Sequence, residues 1–145
     1  MQVKKLHISL AVIATGLVFV GDLIASAEMP LVQGTPLTSK GVELLKTQAV
    51  DLGQEIPGMA GWQLRLRLLR IAPGGQTQVH SHRGRPAAFY VIEGATTVVY
   101  GDGTAERYSA GGTGYANQKT VHWHRNNESV PAVFLTTDIY QSSEM

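Results

Sequence analysis

His80-Ser81-His82 and His122-Trp123-His124 are the stretches of this chain whose residue types and spacing could do chemistry. In an extended strand successive side chains point to opposite faces, so His80 and His82 share one face, and His122 and His124 share one face of theirs. Two such pairs brought together could hold one metal ion, because neutral imidazole suits zinc, copper, iron and nickel. Of the five histidines in the chain, His7 lies near the N-terminus and the other four all fall in these two stretches. There is no cysteine, which excludes disulfides and thiolate ligands, so a metal site here must be built from nitrogen and oxygen.

The elements that would have to position these histidines read as short strands. Trp62, Leu64, Leu66 and Leu68 alternate with Gln63, Arg65 and Arg67, the pattern of a half-buried strand. Pro73-Gly74-Gly75 turns the chain, Gln76 to His82 follows as a strand, and Arg83-Gly84-Arg85-Pro86 breaks it. Ala88 to Glu93 ends at Gly94, and the β-branched, aromatic run Thr96 to Tyr100 stops at the hairpin signal Gly101-Asp102-Gly103. Glu106 to Tyr108, Tyr115-Ala116, Val121 to Arg125 and Ala132 to Tyr140 complete the series. Short strands at intervals of about ten residues, punctuated by glycine, argue for an all-β sandwich or barrel. Val42 to Leu52 is ambiguous between a helical turn and edge strands, and no helix longer than two turns is expected.

Residues 1–27 stand apart. Lys4 and Lys5 precede an apolar run from Ile8 to Ile24 that ends in Ala25-Ser26-Ala27, the layout of a secretory signal peptide with Glu28 as the first mature residue. An uncleaved membrane anchor is the competing reading, since Leu6 to Ile24 nearly reaches spanning length; Asp22 and the Ala-Ser-Ala site argue against it. Cleavage would remove Lys4, Lys5 and Asp22 and leave ten basic and ten acidic residues. A formally neutral chain argues against a basic stripe for nucleic acid, and cleavage of the leader would leave no stable membrane span. The expected location is the periplasm or the exterior. Residues 28–61 then form an N-terminal region, with Glu28 to Lys40 as an extended arm of a kind that often packs on a partner subunit. Residues 62–140 form the barrel and 141–145 a tail.

The two histidine stretches carry a family resemblance. Gly74 to Gly94 resembles the first cupin motif: a glycine, five residues, His80, one residue, His82, and a closing Gly94 after Tyr90-Val91-Ile92-Glu93. Gly111 to Asn126 resembles the second, with Gly111 eleven residues before His122 and Asn126 four after it. The resemblance covers about residues 62–140. It implies a small antiparallel double-stranded β-helix, or jelly-roll barrel, with His80, His82 and His122 as metal ligands and room for a homodimer.

The chain departs from the pattern at several positions. The glutamate that completes the family's ligand set is missing; its slot falls at Pro86 or Ala87, and counting back from Gly94 selects Ala87, with Phe89 and Val91 sharing its inward face. Gln78 shares a face with His80, so Gln78, Ala87, Phe89 and Val91 are the expected cavity residues. Asn117 and Lys119 stand where the family usually has Pro and Gly, and Gly112 replaces a common Asp. His124 replaces an apolar aromatic; it could hydrogen-bond a substrate, substitute for the lost glutamate, or pack on the wall. Of these, a catalytic contact with substrate is the leading expectation. Tyr90, Tyr100 and Tyr115 could each place a phenol in the cavity. Arg83 and Arg85 either attract an anionic substrate or keep a loop soluble, and Asn126 is expected to fix a loop through its side-chain amide.

Three neutral imidazoles leave a divalent metal its full charge and an open position. Such a set resembles cupins that are thiol, diketone or aromatic-ring dioxygenases, which favours iron; zinc, manganese, copper and nickel remain open. The function expected is an exported metal-dependent enzyme acting on a small molecule with dioxygenase-type chemistry. The alternative is a non-catalytic barrel that captures a metal or small ligand.

Overall fold

The computed structural model of this chain describes residues 32–142. The leader at 1–27, its cleavage site, the first residues of the arm and the tail beyond 142 lie outside the described residues. Nine strands make up the rest: β1 (Lys40–Asp51), β2 (Trp62–Gln76), β3 (His80–Ser81), β4 (Ala87–Glu93), β5 (Ala95–Tyr100), β6 (Ala105–Ser109), β7 (Thr113–Ala116), β8 (Val121–Arg125) and β9 (Ala132–Gln141). A 3-10 turn at Leu52–Gln54 is the only helical element among the described residues. No helix there is long and apolar enough to cross a membrane.

All pairings are antiparallel, and the strands run in the order β6-β5-β8-β2-β9-β4-β7, with β1 added to β2 and β3 added to β8. The result is a nearly closed antiparallel barrel of the expected double-stranded β-helix type. β2 is the strand that closes it. Its first part pairs with β1 on one side and β9 on the other, and only Gln76 pairs with β8, opposite Arg125. The bend between these parts falls at Pro73-Gly74-Gly75, where Gly74 has φ 68°. A Cβ on Gly75 would lie 2.8 Å from the Lys40 carbonyl oxygen, so close chain crossing requires glycine at that position.

Of Val42 to Leu52, ambiguous from sequence, Val42 to Asp51 forms a strand paired with Gln63 to Ile71 of β2, and Leu52 opens the 3-10 turn. The last residues of the arm lie on the barrel: the Val79 N–H donates to the Pro36 carbonyl at 2.8 Å and the Gln78 N–H to the Ser39 hydroxyl at 2.9 Å. Residues 36–39 therefore strap the strand segment that leads into His80.

One expectation reverses. In the first half of β2 Leu64 and Leu66 face out and Arg65 and Arg67 face in: the leucines are 40% and 39% exposed, while the two arginines are half-buried against Asp138. Alternation separates the two faces of a strand without saying which one lines the interior, and here the interior holds polar chemistry. The apolar core lies below that interior, where Ile71, Phe89, Val91, Val98 and Phe134 pack together.

Candidate metal centre

β3 and β8 bring the histidines together. His80 lies directly opposite His122 in the ladder, and the His82 N–H donates to the Thr120 carbonyl at 2.9 Å. The rings of His80, His82 and His122 form a nearly regular triangle with centroids 5.0, 4.8 and 4.9 Å apart. One ligand nitrogen from each lies within 4.8 Å of the other two.

Local turns hold this geometry. After His82 the chain reverses through Arg83-Gly84, with Gly84 at φ 69° and the Arg85 N–H donating to the His82 carbonyl at 2.9 Å. Ahead of His122, Asn117 accepts through Oδ1 from the Lys119 N–H at 2.9 Å and its carbonyl accepts from the Thr120 N–H, so an Asx turn stands in for the family's proline-glycine. Beyond β8, Asn126 donates through Nδ2 to the Ile71 and Val130 carbonyls at 2.9 and 2.8 Å, the loop-fixing role expected of it.

The ring nitrogens are arranged for a cation. His80 Nδ1 lies 3.0 Å from the Gln78 carbonyl and His82 Nδ1 lies 2.9 Å from the Arg85 carbonyl. A carbonyl only accepts, so each Nδ1 carries the proton and each Nε2 presents a lone pair. His82 Nε2 and His122 Nε2 are 3.0 Å apart. Two nitrogens on one tetrahedral ion at about 2.1 Å sit roughly 3.4 Å apart, close to that separation. The Nδ1 of His122 is buried without a partner. Burial is the main reason that all three stay neutral: it lowers His80 and His82 below the ordinary imidazole value, and with the neighbouring imidazoles it takes His122 to about 2. Neutral, preoriented and convergent, the three residues fit a divalent metal ion.

His124 stands outside this triangle. It is buried, stacked on Phe134 at 4.9 Å and 11°, and edge-on to Phe89 at 5.1 Å. Its Nδ1 is 3.3 Å from the Thr96 hydroxyl, which leaves Nε2 as the free ring nitrogen beside the cavity, and burial takes its pKa down to about 3.

The triangle opens into a cavity of about 370 Å³. Gln78, Ala87 and Phe89 line it as expected, together with His124. Val91 does not: the pleat puts it on the face of Ala87 and Phe89, but it lies deeper, fully buried in the core below. Tyr90 and Tyr115 point outward, whereas Tyr100 lies opposite His122 with ring centroids 6.1 Å apart.

Ala87 lies opposite Asp138 of β9, so the carboxylate nearest in register to the missing glutamate belongs to the next strand. Asp138 is committed elsewhere. Arg65 binds it with two hydrogen bonds, Nε to Oδ1 at 3.0 Å and Nη2 to Oδ2 at 2.8 Å. Arg67 and Arg85 each reach the same Oδ2 at 3.3 Å. This cluster escaped the sequence reading. Its signals were Arg65 and Arg67 at the same two-residue spacing as the histidines, and Asp138 as the one acidic residue in β9. Arg83 and Arg85, alike from sequence, are separated by the turn: Arg83 is exposed and Arg85 turns inward.

Comparison with known proteins agrees with this geometry. Residues 67–138 match the family described as the cupin domain. A Klebsiella pneumoniae protein with a double-stranded β-helix domain aligns at 20% identity with a TM-score of 0.50, over 56% of this chain and 76% of its own. TT1209 from Thermus thermophilus aligns at 23% identity with a TM-score of 0.51, over 67% of this chain and 86% of its own. At these identities the likeness is one of fold. No curated protein sequence matches the chain.

Proposed function

From the premise that residues 67–138 of this chain form a small cupin-type domain, we propose that the protein is an exported metalloenzyme acting on a small molecule, with dioxygenase-type chemistry. The observation that carries the proposal is the convergence of three neutral histidines, two of them held in one tautomer by backbone carbonyls, on the wall of a cavity of about 370 Å³. His80, His82 and His122 hold the ion, iron in this reading. Bound there, it would supply Lewis acidity and, when redox-active, electrons for oxygen chemistry.

The chain's own residues do the rest. In this reading His124 hydrogen-bonds the substrate or exchanges a proton with it through Nε2, and stacking on Phe134 with edge contact to Phe89 supports that by holding the ring. Phe89, Phe134 and Leu69 give the cavity an apolar wall that excludes water from the reacting atoms. Ala87 contributes no charge, so the ion keeps its full positive charge toward the substrate.

Export rests on the basic, apolar and Ala-Ser-Ala pattern of residues 1–27, and the test is an N-terminus at Glu28 on protein recovered outside the cytoplasm. The chemistry is tested by anaerobic preparation, metal analysis, iron(II) reconstitution and oxygen uptake with thiols, diketones and phenols. Stoichiometric zinc with no turnover after iron reconstitution would contradict it. The absence of any carboxylate at Ala87 also favours a second reading, a barrel that captures metal or ligand without turnover. His124→Ala separates the roles: abolished turnover with metal retained favours catalysis, whereas unchanged ligand affinity would leave His124 as wall packing.

A further inference from the structure

Three guanidiniums and one carboxylate meet beside the histidines. Asp138, whose side chain is completely buried, receives four hydrogen bonds from Arg65, Arg67 and Arg85, three of them on Oδ2. Each guanidinium has five N–H donors, so the cluster has far more donor capacity than one carboxylate can accept. It also carries two positive charges beyond the one that Asp138 neutralises. Arg65 is spent: its fork is bidentate on Asp138, and its guanidinium carbon sits 4.1 Å over the Tyr140 ring. Arg67 and Arg85 are not. Each makes a single 3.3 Å bond to Asp138, Arg67 Nε is buried without a partner, and both side chains line the cavity that holds the histidine triangle.

We propose that Arg67 and Arg85 form a subsite for the carboxylate of a small organic acid, placed so that the acid's remaining atoms face His80, His82 and His122. The inference rests on the small-molecule reading of this cavity and adds the substrate class to it. Arginine matches a carboxylate with paired N–H groups, and Asp138 demonstrates that this cluster accepts that ion. A phosphate group fits less well. Its additional oxygens are generally met by backbone N–H groups at a helix N-terminus or nest, and among the described residues the only helical element is the 3-10 turn at Leu52–Gln54, which does not line the cavity. Leu69, Phe89 and Phe134 make the rest of the wall apolar, and about 370 Å³ admits a short carbon chain.

The test is a ligand-observed NMR titration of metal-free and zinc-loaded full-length protein with propionate, its neutral isostere propionamide, and inorganic phosphate. Propionate is expected to bind the metal-free protein about tenfold or more tightly than propionamide, because only the anion makes charge-assisted hydrogen bonds. Arg67→Gln and Arg85→Gln should each weaken propionate about tenfold, and Arg67→Lys should weaken it less. Arg83→Gln, on the exposed side of the same turn, should leave it unchanged. Should Arg67→Gln fail to fold, Arg85→Gln and Arg67→Lys carry the test. Equal binding of propionate and propionamide, an equal loss in Arg83→Gln, or tighter binding of phosphate than of propionate would each overturn the subsite. Propionate binding to a protein that takes up no metal would uphold the subsite while removing the metalloenzyme reading. Metal uptake without preference for the anion would do the reverse.

Discussion

The two polar regions of the barrel, which meet at one cavity, solve opposite electrostatic problems. In the histidine region, on β3 and β8, burial keeps every ring neutral, and His80 and His82, whose protons sit on Nδ1, present Nε2 lone pairs to the centre. In the arginine region, on β2, β9 and the turn before β4, burial is met with charge, and Asp138 is held ionised among three guanidiniums. A neutral nest can receive a cation without repelling it, and a buried carboxylate survives only if it is paired. The first region is therefore built for something it binds, and the second ties the barrel together through Asp138 while leaving Arg67 and Arg85 on the cavity wall.

The largest expected effect lies in the arginine region. Asp138→Ala leaves three cations around an empty space and should cost about 3–5 kcal/mol in denaturant unfolding of the metal-free protein. A near-neutral result would erase the contrast, because the cluster would then be a solvated ornament.

His82→Ala should act on binding instead. Metal affinity, read by competition with a chromophoric chelator, is expected to fall more than about a hundredfold, while the metal-free protein shifts by only about 1 kcal/mol. If this variant unfolds the metal-free chain, the histidines are structural after all. His124→Phe sharpens the boundary between the regions. The ring stacks on Phe134 much as phenylalanine would, so fold and bound metal should persist within about 1.5 kcal/mol, while turnover falls about a hundredfold through loss of Nε2.

The smallest effect is in pH. Burial alone would raise the Asp138 pKa, but the Arg65 hydrogen bonds and the charges of Arg67 and Arg65 outweigh it and hold the carboxyl below its usual value. A folded pKa below the unfolded value of about 3.9 means that the stabilisation is complete above that value and is lost as pH falls through the folded one. Acid titration of stability should show this loss in the native protein and a flatter profile in Asp138→Asn.

How much of this was written in the chain differs between the same two regions. His80, His82 and His122 could be picked out because ligands two apart on a strand keep their spacing in any register, and the flanking glycines marked the turns. The barrel was legible for a related reason, since short alternating runs broken by glycine have few other folds. The arginine cluster depends on register instead: Arg65 opposite Asp138 is a pairing across more than seventy residues, set by strand order that no local pattern reveals. Leu64 and Leu66 made it harder by marking the wrong face of β2 as buried. β1 was obscured because most of its residues are exposed, so Lys46, Gln48 and Asp51 mask its strand character. Val91 failed by depth, since parity tells which side a residue faces and not where a cavity ends.

The most direct test of the central claim is the metal content of full-length protein after anaerobic reconstitution, measured beside His80→Ala, His82→Ala and His122→Ala. One divalent ion per chain in the native protein, lost in each of the three variants but retained in His124→Ala, is the expected result. Native protein that holds no ion, or variants that hold it as well as the native chain, would contradict the three-histidine site.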